Sequence, residues 1–337
     1  IGGVSVAENE CMVSVLCTAY NHEEYIAQAL ESFLSQETGF PFEIIVNDDA
    51  SPDGTADIIR QIAADHPGKV IAFYQEKNLY SQGINIEDTV MLPAARGKYI
   101  AFCEGDDYWS DPSKLQRQVD FMEAHPEYSA CVHDTVIHYC DGSAPDLLHS
   151  KKYMPQPGDR DIEFADILKG MAHAYHTSSL LFRREFAFDL PDYFYCGAHY
   201  GFADFPRALF LSLSGPIRFL DRPMSVYRAR SNPTSWSSNV DGQYDKLRRF
   251  VYGQTQMLSM LLPHVPEELL PAARQALTER EFELMYIEGR DREQRQGVYR
   301  ELLRAKPLSY RAKNFLKSYF PAVQHYYRKR RGFGDDK

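Results

Sequence analysis

The chain has 337 residues, of which 44% are hydrophobic and 25% charged, and its net charge is −10 at pH 7. This is enough for a real core, in one large domain or two of ordinary size. No apolar stretch approaches the roughly 20 residues that a membrane-spanning helix needs, and the acidic body argues against general nucleic-acid binding.

The charge is unevenly distributed along the chain. Residues 300–337 contain eleven Lys/Arg and three Asp/Glu, a balance of +8 that leaves −18 for the rest. A basic tail is typical of proteins that meet an anionic partner such as a lipid surface.

The six cysteines are scattered, never occur as C-x-x-C, and lie mostly inside apolar runs. We expect reduced core residues of a cytoplasmic protein. The N-terminal residues carry no charged-then-apolar secretion signal.

The first part of the chain alternates apolar strands with helical patterns. Strands are predicted at 12–18, 42–49, 69–74 and 98–103, and helices from Ile26, over 51–68 and over about 84–96. This β-α-β-α-β-α-β order predicts a largely parallel sheet with helices on both faces.

The remainder begins with a well-signalled helix in "SDPSKLQRQVDFMEAHP", with Asp111 as the cap and Pro112 in the first position. Strands are predicted at 128–139, 176–184 and 217–228, a loop at 141–162, a helix near 203–214, and helices from about 240 to the end.

Three polar clusters follow predicted strands: "TAYNHEEY" (18–25), "NDDASPDGT" (47–55) and "EGDDYW" (104–109). In such sheets, ligands bind beyond the carboxyl ends of the strands. Neither a G-x-G-x-x-G nor a P-loop motif is present, so the clusters do not indicate dinucleotide or P-loop chemistry.

Glu104, Asp106 and Asp107 place three carboxylates within four positions. Such neighbours repel one another and raise each other's pKa unless a cation lies between them. The pair Asp106 and Asp107 predicts a Mg²⁺ or Mn²⁺ that bridges two phosphate oxygens. The alternative is a solvated acidic turn before the helix that follows Ser110.

Three segments in this order, "VSVLCTAYNHEEYIAQALESFLSQ", "EIIVNDDASPDGT" and "ARGKYIAFCEGDDYWSDPSKLQRQ", resemble the family 2 glycosyltransferases of GT-A fold. The resemblance covers roughly residues 11–230. It implies an α/β fold with a Rossmann-like, mainly parallel sheet flanked by helices. It also implies a nucleotide-sugar donor, usually UDP-linked, a divalent metal as cofactor, and inversion at the anomeric carbon.

The resemblance also implies residues for the donor. Asp107 would ligate Mn²⁺ or Mg²⁺, and Glu104 stands at the first position of the family's D-x-D pattern, where Asp is usual. Glu23 would reach the nucleotide or stabilise a helix N-terminus. The remaining donor contacts would be to the base and ribose from Thr18, Tyr20 and Asn21, to uracil from Asp49 supported by Asp48, and to the ribose or a metal-bound water from Asp106.

On the acceptor side, the resemblance places the catalytic base at Asp204, with capping of its helix as the alternative. His176, Thr177 and Ser178 would line the acceptor pocket. Arg228 and Arg230 would contact the diphosphate, or serve as structural ion-pair partners.

The C-terminal segment has a helical pattern with an apolar stripe. Lys313 and Lys317 lie off this stripe, and the basic run "RKRR" follows it. The pattern is typical of a helix that adheres to an anionic membrane surface; the alternative is a helix packed on the protein's own core. The stripe comprises Leu308, Ala312, Phe315, Leu316 and Tyr319.

Together these observations predict a GT-A domain over 1–235, with a nucleotide-sugar half at about 11–125 and an acceptor half at about 126–235. A helical C-terminal extension with a basic tail would cover 236–337. The predicted activity is inverting hexosyl or N-acetylhexosaminyl transfer from a UDP-sugar to an acceptor hydroxyl.

The predicted acceptor is a surface glycan or its lipid-linked precursor, which would place the protein in the cytoplasm or peripherally at the inner face of the cell membrane. The alternatives are a sugar-1-phosphate nucleotidyltransferase, which would need a Gly-rich, Arg-bearing loop after the first strand, and a catalytically inactive carbohydrate-binding relative.

Overall fold

The computed structural model of the chain describes residues 11–153, 157–170, 174–231 and 244–320, together with residues 323 and 326. The described residues fall into two compact units. The first unit contains residues 11–191 and 202–231, and the second contains 192–201 and the residues from 244 onward. The "RKRR" run lies outside the described residues.

The first unit is built on one mixed sheet, in which β3, β2, β1, β4, β9, β6, β10 and β5 lie side by side in that order; β7 pairs with β6, and β8 pairs with β10. The strands are β1 (Val13–Ala19), β2 (Phe42–Asp48), β3 (Val70–Tyr74), β4 (Tyr99–Phe102), β5 (Tyr108–Trp109), β6 (Ala130–Tyr139), β7 (Leu147–Leu148), β8 (Arg160–Ile162), β9 (Leu181–Arg183) and β10 (Ile217–Ala229).

The helices of both units, in chain order, are α1 (Ile26–Leu34), α2 (Thr55–Asp65), α3 (Leu92–Ala94), α4 (Lys114–Ala124), α5 (His149–Tyr153), α6 (Phe164–Gly170), α7 (Asp192–His199), α8 (Asp204–Ser214), α9 (Tyr244–Leu261), α10 (Leu270–Glu288), α11 (Tyr299–Ala305) and α12 (Leu308–Tyr319). Of these, α7 and α9 to α12 belong to the second unit. In the described part of the chain, none of the helices has the length and apolarity that crossing a membrane requires.

The four predicted N-terminal strands are confirmed and form one parallel part of the sheet; elsewhere in the same sheet, β6 and β10 also pair in parallel. β1 pairs in parallel with both β2 and β4, and β2 pairs in parallel with β3. Nearly every residue of β1, β2 and β4 is buried, which is expected of central strands covered on both faces. The pairing brings the carboxyl ends of β1, β2 and β4 to one edge of the sheet, which confirms the predicted α/β fold class.

Several element predictions need correction. The predicted strand at 176–184 is reduced to β9, because residues Thr177–Ser179 form a 3₁₀ turn in which His176 accepts from the Ser178 N–H. The predicted loop at 141–162 contains β7, α5 and β8.

At the predicted helix over 84–96, a π-helical turn at Glu87–Met91 precedes the short α3. Helix α4 begins at Lys114, after a turn in which Asp111 accepts from the Ser113 N–H. Of the cysteines, Cys17, Cys103 and Cys131 are buried, whereas Cys140 is exposed.

Candidate active site

The polar residues after β1 and β4 lie against each other. The Gly105 N–H donates to the Thr18 carbonyl at 2.9 Å, which joins the two segments directly. A Cβ at Gly105 would lie 2.8 Å from Ile26 Cδ1 and 2.9 Å from His22 Nδ1. A side chain at position 105 would therefore force Ile26 and His22 to shift, whereas glycine allows this close approach.

Three potential metal ligands converge at this edge. One ligand atom from each of Glu104, Asp107 and His176 lies within 4.8 Å of the others. Asp107 is fully buried, and its Oδ1 accepts from the Arg228 N–H at 2.8 Å. Among the described residues, no hydrogen-bond donor reaches Asp107 Oδ2, which lies 3.9 Å from His176 Nδ1.

The described residues place more negative than positive charge around this acidic cluster, which consists of Glu104, Asp106 and Asp107. Burial, followed by the charges of Asp106, Glu87 and Asp204, raises the pKa of Glu104 to about 8. Burial and the charges of Asp106 and Glu104 likewise raise the pKa of Asp107 well above its usual range. Both shifts are those expected of carboxylates crowded together in a poorly solvated place.

These residues fit a divalent cation. Two carboxylates and an imidazole form a donor set suited to Mn²⁺, whereas Mg²⁺ prefers oxygen ligands. The buried Asp107 Oδ2 is left without a donor among the described residues, as a ligand atom directed at a cation would be. The geometry thus brings His176, predicted as an acceptor contact, beside the predicted ligand Asp107.

A chain of buried hydroxyls orients His176. Its Nδ1 lies 2.8 Å from Ser178 Oγ, which in turn lies 2.9 Å from Ser225 Oγ, and Ser225 lies 2.9 Å from Thr135 Oγ1. The imidazole also stacks on the Tyr227 ring at 4.2 Å. Ser178, a predicted acceptor contact, is fully buried and supports His176, whereas Thr177 is half-buried beside it.

The predicted nucleotide contacts lie around the ends of β1 and β2. Asp49 is buried, and its carboxylate accepts from the Leu79 and Tyr80 N–H groups at 2.7 and 3.1 Å. Glu23 accepts from the Gly54 N–H at 2.9 Å, so it binds the turn that opens α2. The other predicted contacts comprise the half-buried Thr18, Tyr20, Asn21 and Asp106 and the buried Asp48, which accepts from the Ser51 N–H.

The two predicted diphosphate contacts differ in their surroundings. Arg228 is buried, donates to the Asp106 carbonyl and to Gln28, and lies over the rings of Tyr25 and Tyr108. Arg228 therefore helps to hold the backbone of the acidic cluster in place. Arg230 is half-buried and pairs with Asp141 at 2.9 Å.

Asp204 opens α8 and is half-buried. Its Oδ1 accepts from the Phe205 N–H, while the N-cap residue of the helix is Ala203. Burial raises the pKa of Asp204, and the charge of Asp204 in turn raises the pKa of Glu104. The charge of Asp204 therefore acts on the acidic cluster, although 97 positions separate Asp107 from Asp204 in the sequence.

Sequence reasoning missed two residues of this site. His22 Nε2 lies 3.8 Å from Asp106 Oδ2, and its place inside the motif "TAYNHEEY" was the available signal. Glu87 has a pKa raised to about 7, mainly by burial. No local pattern marks Glu87, because its proximity to Asp204 comes from the π-helical turn and α8 rather than from spacing.

Comparisons with known proteins point in one direction. Residues 14–188 match the family model described as Glycosyl transferase family 2. The uncharacterized protein Rv1520 of Mycobacterium tuberculosis is 34% identical over 229 residues, which are 68% of this chain and 62% of that protein. The matched region therefore spans less than two thirds of that relative.

Two further proteins are similar. The Escherichia coli UDP-Glc:alpha-D-GlcNAc-diphosphoundecaprenol beta-1,3-glucosyltransferase WfaP is 40% identical over 112 residues, or 33% of this chain and 41% of that protein. The structure of Staphylococcus aureus TarS 1-349 in complex with UDP-GlcNAc aligns with a TM-score of 0.62 and 18% identity, over 94% of this chain and 92% of that one. At this identity, the TarS likeness shows a shared fold.

Proposed function

The chain belongs to glycosyl transferase family 2, and from this premise we propose that it transfers a hexosyl or N-acetylhexosaminyl group from a UDP-sugar to an acceptor hydroxyl with inversion. The observation that carries the proposal is the buried Asp107 Oδ2, held beside Glu104 and His176 without a donor among the described residues. A structural acidic turn would have its buried oxygens satisfied by the protein.

Glu104, Asp107 and His176 would hold a divalent cation, with Mn²⁺ favoured by the imidazole. When bound there, the cation supplies positive charge that offsets the departing diphosphate. The chain's own contribution is to hold these side chains rigidly: the Arg228 N–H fixes Asp107, and the hydroxyl chain through Ser178 fixes His176.

Asp204 is the proposed general base. An acceptor hydroxyl is a poor nucleophile at neutral pH, so a carboxylate in reach accelerates attack by accepting its proton. Burial raises the pKa of Asp204. A higher pKa makes the carboxylate a stronger base, and a general base is most effective when its pKa lies near the working pH. Thr18, Tyr20, Asn21, Asp48 and Asp49 are proposed to frame the nucleotide.

We propose a glycan or lipid-linked glycan as the acceptor, in surface polysaccharide synthesis at the inner face of the membrane. The name of WfaP, which specifies a diphosphoundecaprenol-linked acceptor, supports this choice. Nucleotidyl transfer is not favoured, because residues 20–25 after β1 include neither Gly nor Arg.

The test is a panel of UDP- and GDP-sugars incubated with the protein, with Mn²⁺ or with a chelator, in which release of nucleoside diphosphate is measured. We expect Mn²⁺-dependent UDP release from at least one UDP-sugar, lost in Asp107→Asn and retained in Asp65→Asn, a change at an exposed carboxylate on α2. Mn²⁺-dependent binding without turnover would indicate an inactive relative. If no UDP-sugar binds with Mn²⁺, the proposal is wrong.

A further inference from the structure

Helix α12 is oriented with its polar side chains inward. Its buried residues are Asn314, Lys317 and Ser318. The apolar side chains predicted as a stripe face the other way: Leu308 is 76% exposed, Tyr319 56%, Phe315 46% and Leu316 45%. We call the exposed set Leu308, Ala312, Phe315, Leu316, Tyr319 and Phe320 the α12 stripe.

A buried polar network fixes this orientation. Lys317 Nζ lies 3.4 Å from Asp291 Oδ1, and both side chains are almost fully buried. Asn314 Nδ2 donates to Gln294 Oε1 at 2.7 Å, and Arg292 Nε donates to the Ser318 carbonyl at 2.6 Å. Rotation of α12 to bury the stripe would separate Lys317 from Asp291 and leave a buried charge uncompensated, which is strongly unfavourable.

The residues around the stripe are cationic. Residues 302–334 contain nine Lys/Arg and no Asp or Glu. Arg304, Lys306 and Arg311 are exposed next to or on α12. An apolar stripe bordered by cations is complementary to a surface that offers hydrocarbon beneath anionic groups.

We propose that the α12 stripe docks on an anionic membrane surface, with Phe315, Leu316 and Tyr319 entering the interface and the flanking cations contacting lipid headgroups. A second copy of the chain fits less well, because a two-fold contact through this face would bring its cations together. The inference is independent of the sugar transfer proposed above, since it rests only on residues of the second unit.

The experiment uses the full chain and sedimentation with vesicles of phosphatidylcholine, with or without about 30% phosphatidylglycerol. The variant is Phe315→Ser/Leu316→Ser; the matched control, Met260→Ser/Val298→Ser, replaces two exposed apolar residues of the same unit that are not part of α12. Circular dichroism checks the fold of each variant. We expect about a tenfold or larger loss of partition to anionic vesicles for the stripe variant, and little change for the control.

The salt dependence of vesicle binding distinguishes apolar insertion of the α12 stripe from general charge attraction. Wild type should retain part of its binding at about 0.5 M salt, where screening leaves mainly the apolar contribution, and the stripe variant should retain none. Equal partition of the wild type and the stripe variant would overturn the proposal. The proposal would also be overturned if the wild type formed a dimer in lipid-free solution and the stripe variant were monomeric. The stripe variant should turn over UDP-sugar in solution at the wild-type rate. This measurement separates a failure of membrane docking from a failure of the proposed transfer reaction.

Discussion

The Lys317–Asp291 pair and the acidic cluster differ in how their negative charge is compensated. In the second unit, Asp291 has Lys317 at 3.4 Å, so the chain itself supplies the compensating cation. In the first unit, Glu104, Asp106 and Asp107 crowd together, and the pKa of Glu104 and that of Asp107 are both raised. The backbone N–H of Arg228 reaches Asp107, but its guanidinium binds the Asp106 carbonyl and Gln28.

The difference separates a structural arrangement from a functional one. A buried pair with matched charge is strongly destabilising to break, so it fixes the orientation of α12. An acidic cluster without matched charge destabilises the fold, and such strain is retained where a ligand compensates it. Changes in the Lys317–Asp291 pair should therefore affect stability, and changes in the acidic cluster should affect binding and turnover.

The largest effect is expected at the matched pair. Lys317→Ala leaves Asp291 buried without its cation and should lower the free energy of unfolding by about 3–5 kcal/mol. The double variant Lys317→Met/Asp291→Leu removes both charges and should recover most of that loss. Denaturant unfolding measures both; a loss below about 1 kcal/mol for Lys317→Ala would show that the pair does not hold α12.

Asp204→Asn should act on turnover and leave stability unchanged. Asn keeps the shape but accepts no proton, so transfer should fall by about 10²-fold or more with donor affinity nearly constant. The matched control is Asp192→Asn, because Asp192 is an exposed acid that opens α7 in the same way. Product formation gives the rate and calorimetry the affinity. Transfer at close to the wild-type rate would place the base elsewhere.

The acidic cluster should also produce a pH dependence of stability in chelator-treated protein. Because the pKa of Glu104 is raised from 4.5 to about 8, the folded state retains a proton that the unfolded state has released. Stability should then fall as the pH rises from about 5 to 7, by about 1–2 kcal/mol for this half-buried group.

Glu87, with a pKa raised to about 7, adds to the same trend. The pKa of Lys114 is lowered to about 7 by burial and acts in the opposite sense above that pH, so the window ends there. Glu104→Gln should reduce the slope of thermal stability against pH, and an unchanged slope would show that Glu104 does not carry the trend. Added Mn²⁺ should stabilise the wild type by binding the native state.

The sequence predicted the parallel strands and the polar clusters at their ends, because period-two and period-3.6 patterns and strand ends are local features. It also placed Asp107 and Asp204 in motifs. It did not bring His176 to Asp107, because that approach depends on how β9 and the preceding 3₁₀ turn pack beside β4. Nor did it predict which face of α12 is buried, since the partner Asp291 lies outside that helix.

The most direct measurement is a calorimetric titration of UDP into wild type and Asp107→Asn, each with Mn²⁺ and with a chelator. Asp65→Asn serves as the matched control. The wild type and Asp65→Asn should bind UDP far more tightly with Mn²⁺ than without it. Asp107→Asn should keep its fold and lose that difference, because the cluster then lacks the buried carboxylate oxygen that faces the cation. If Asp107→Asn binds UDP with an unchanged Mn²⁺ dependence, the acidic cluster is not the cation site.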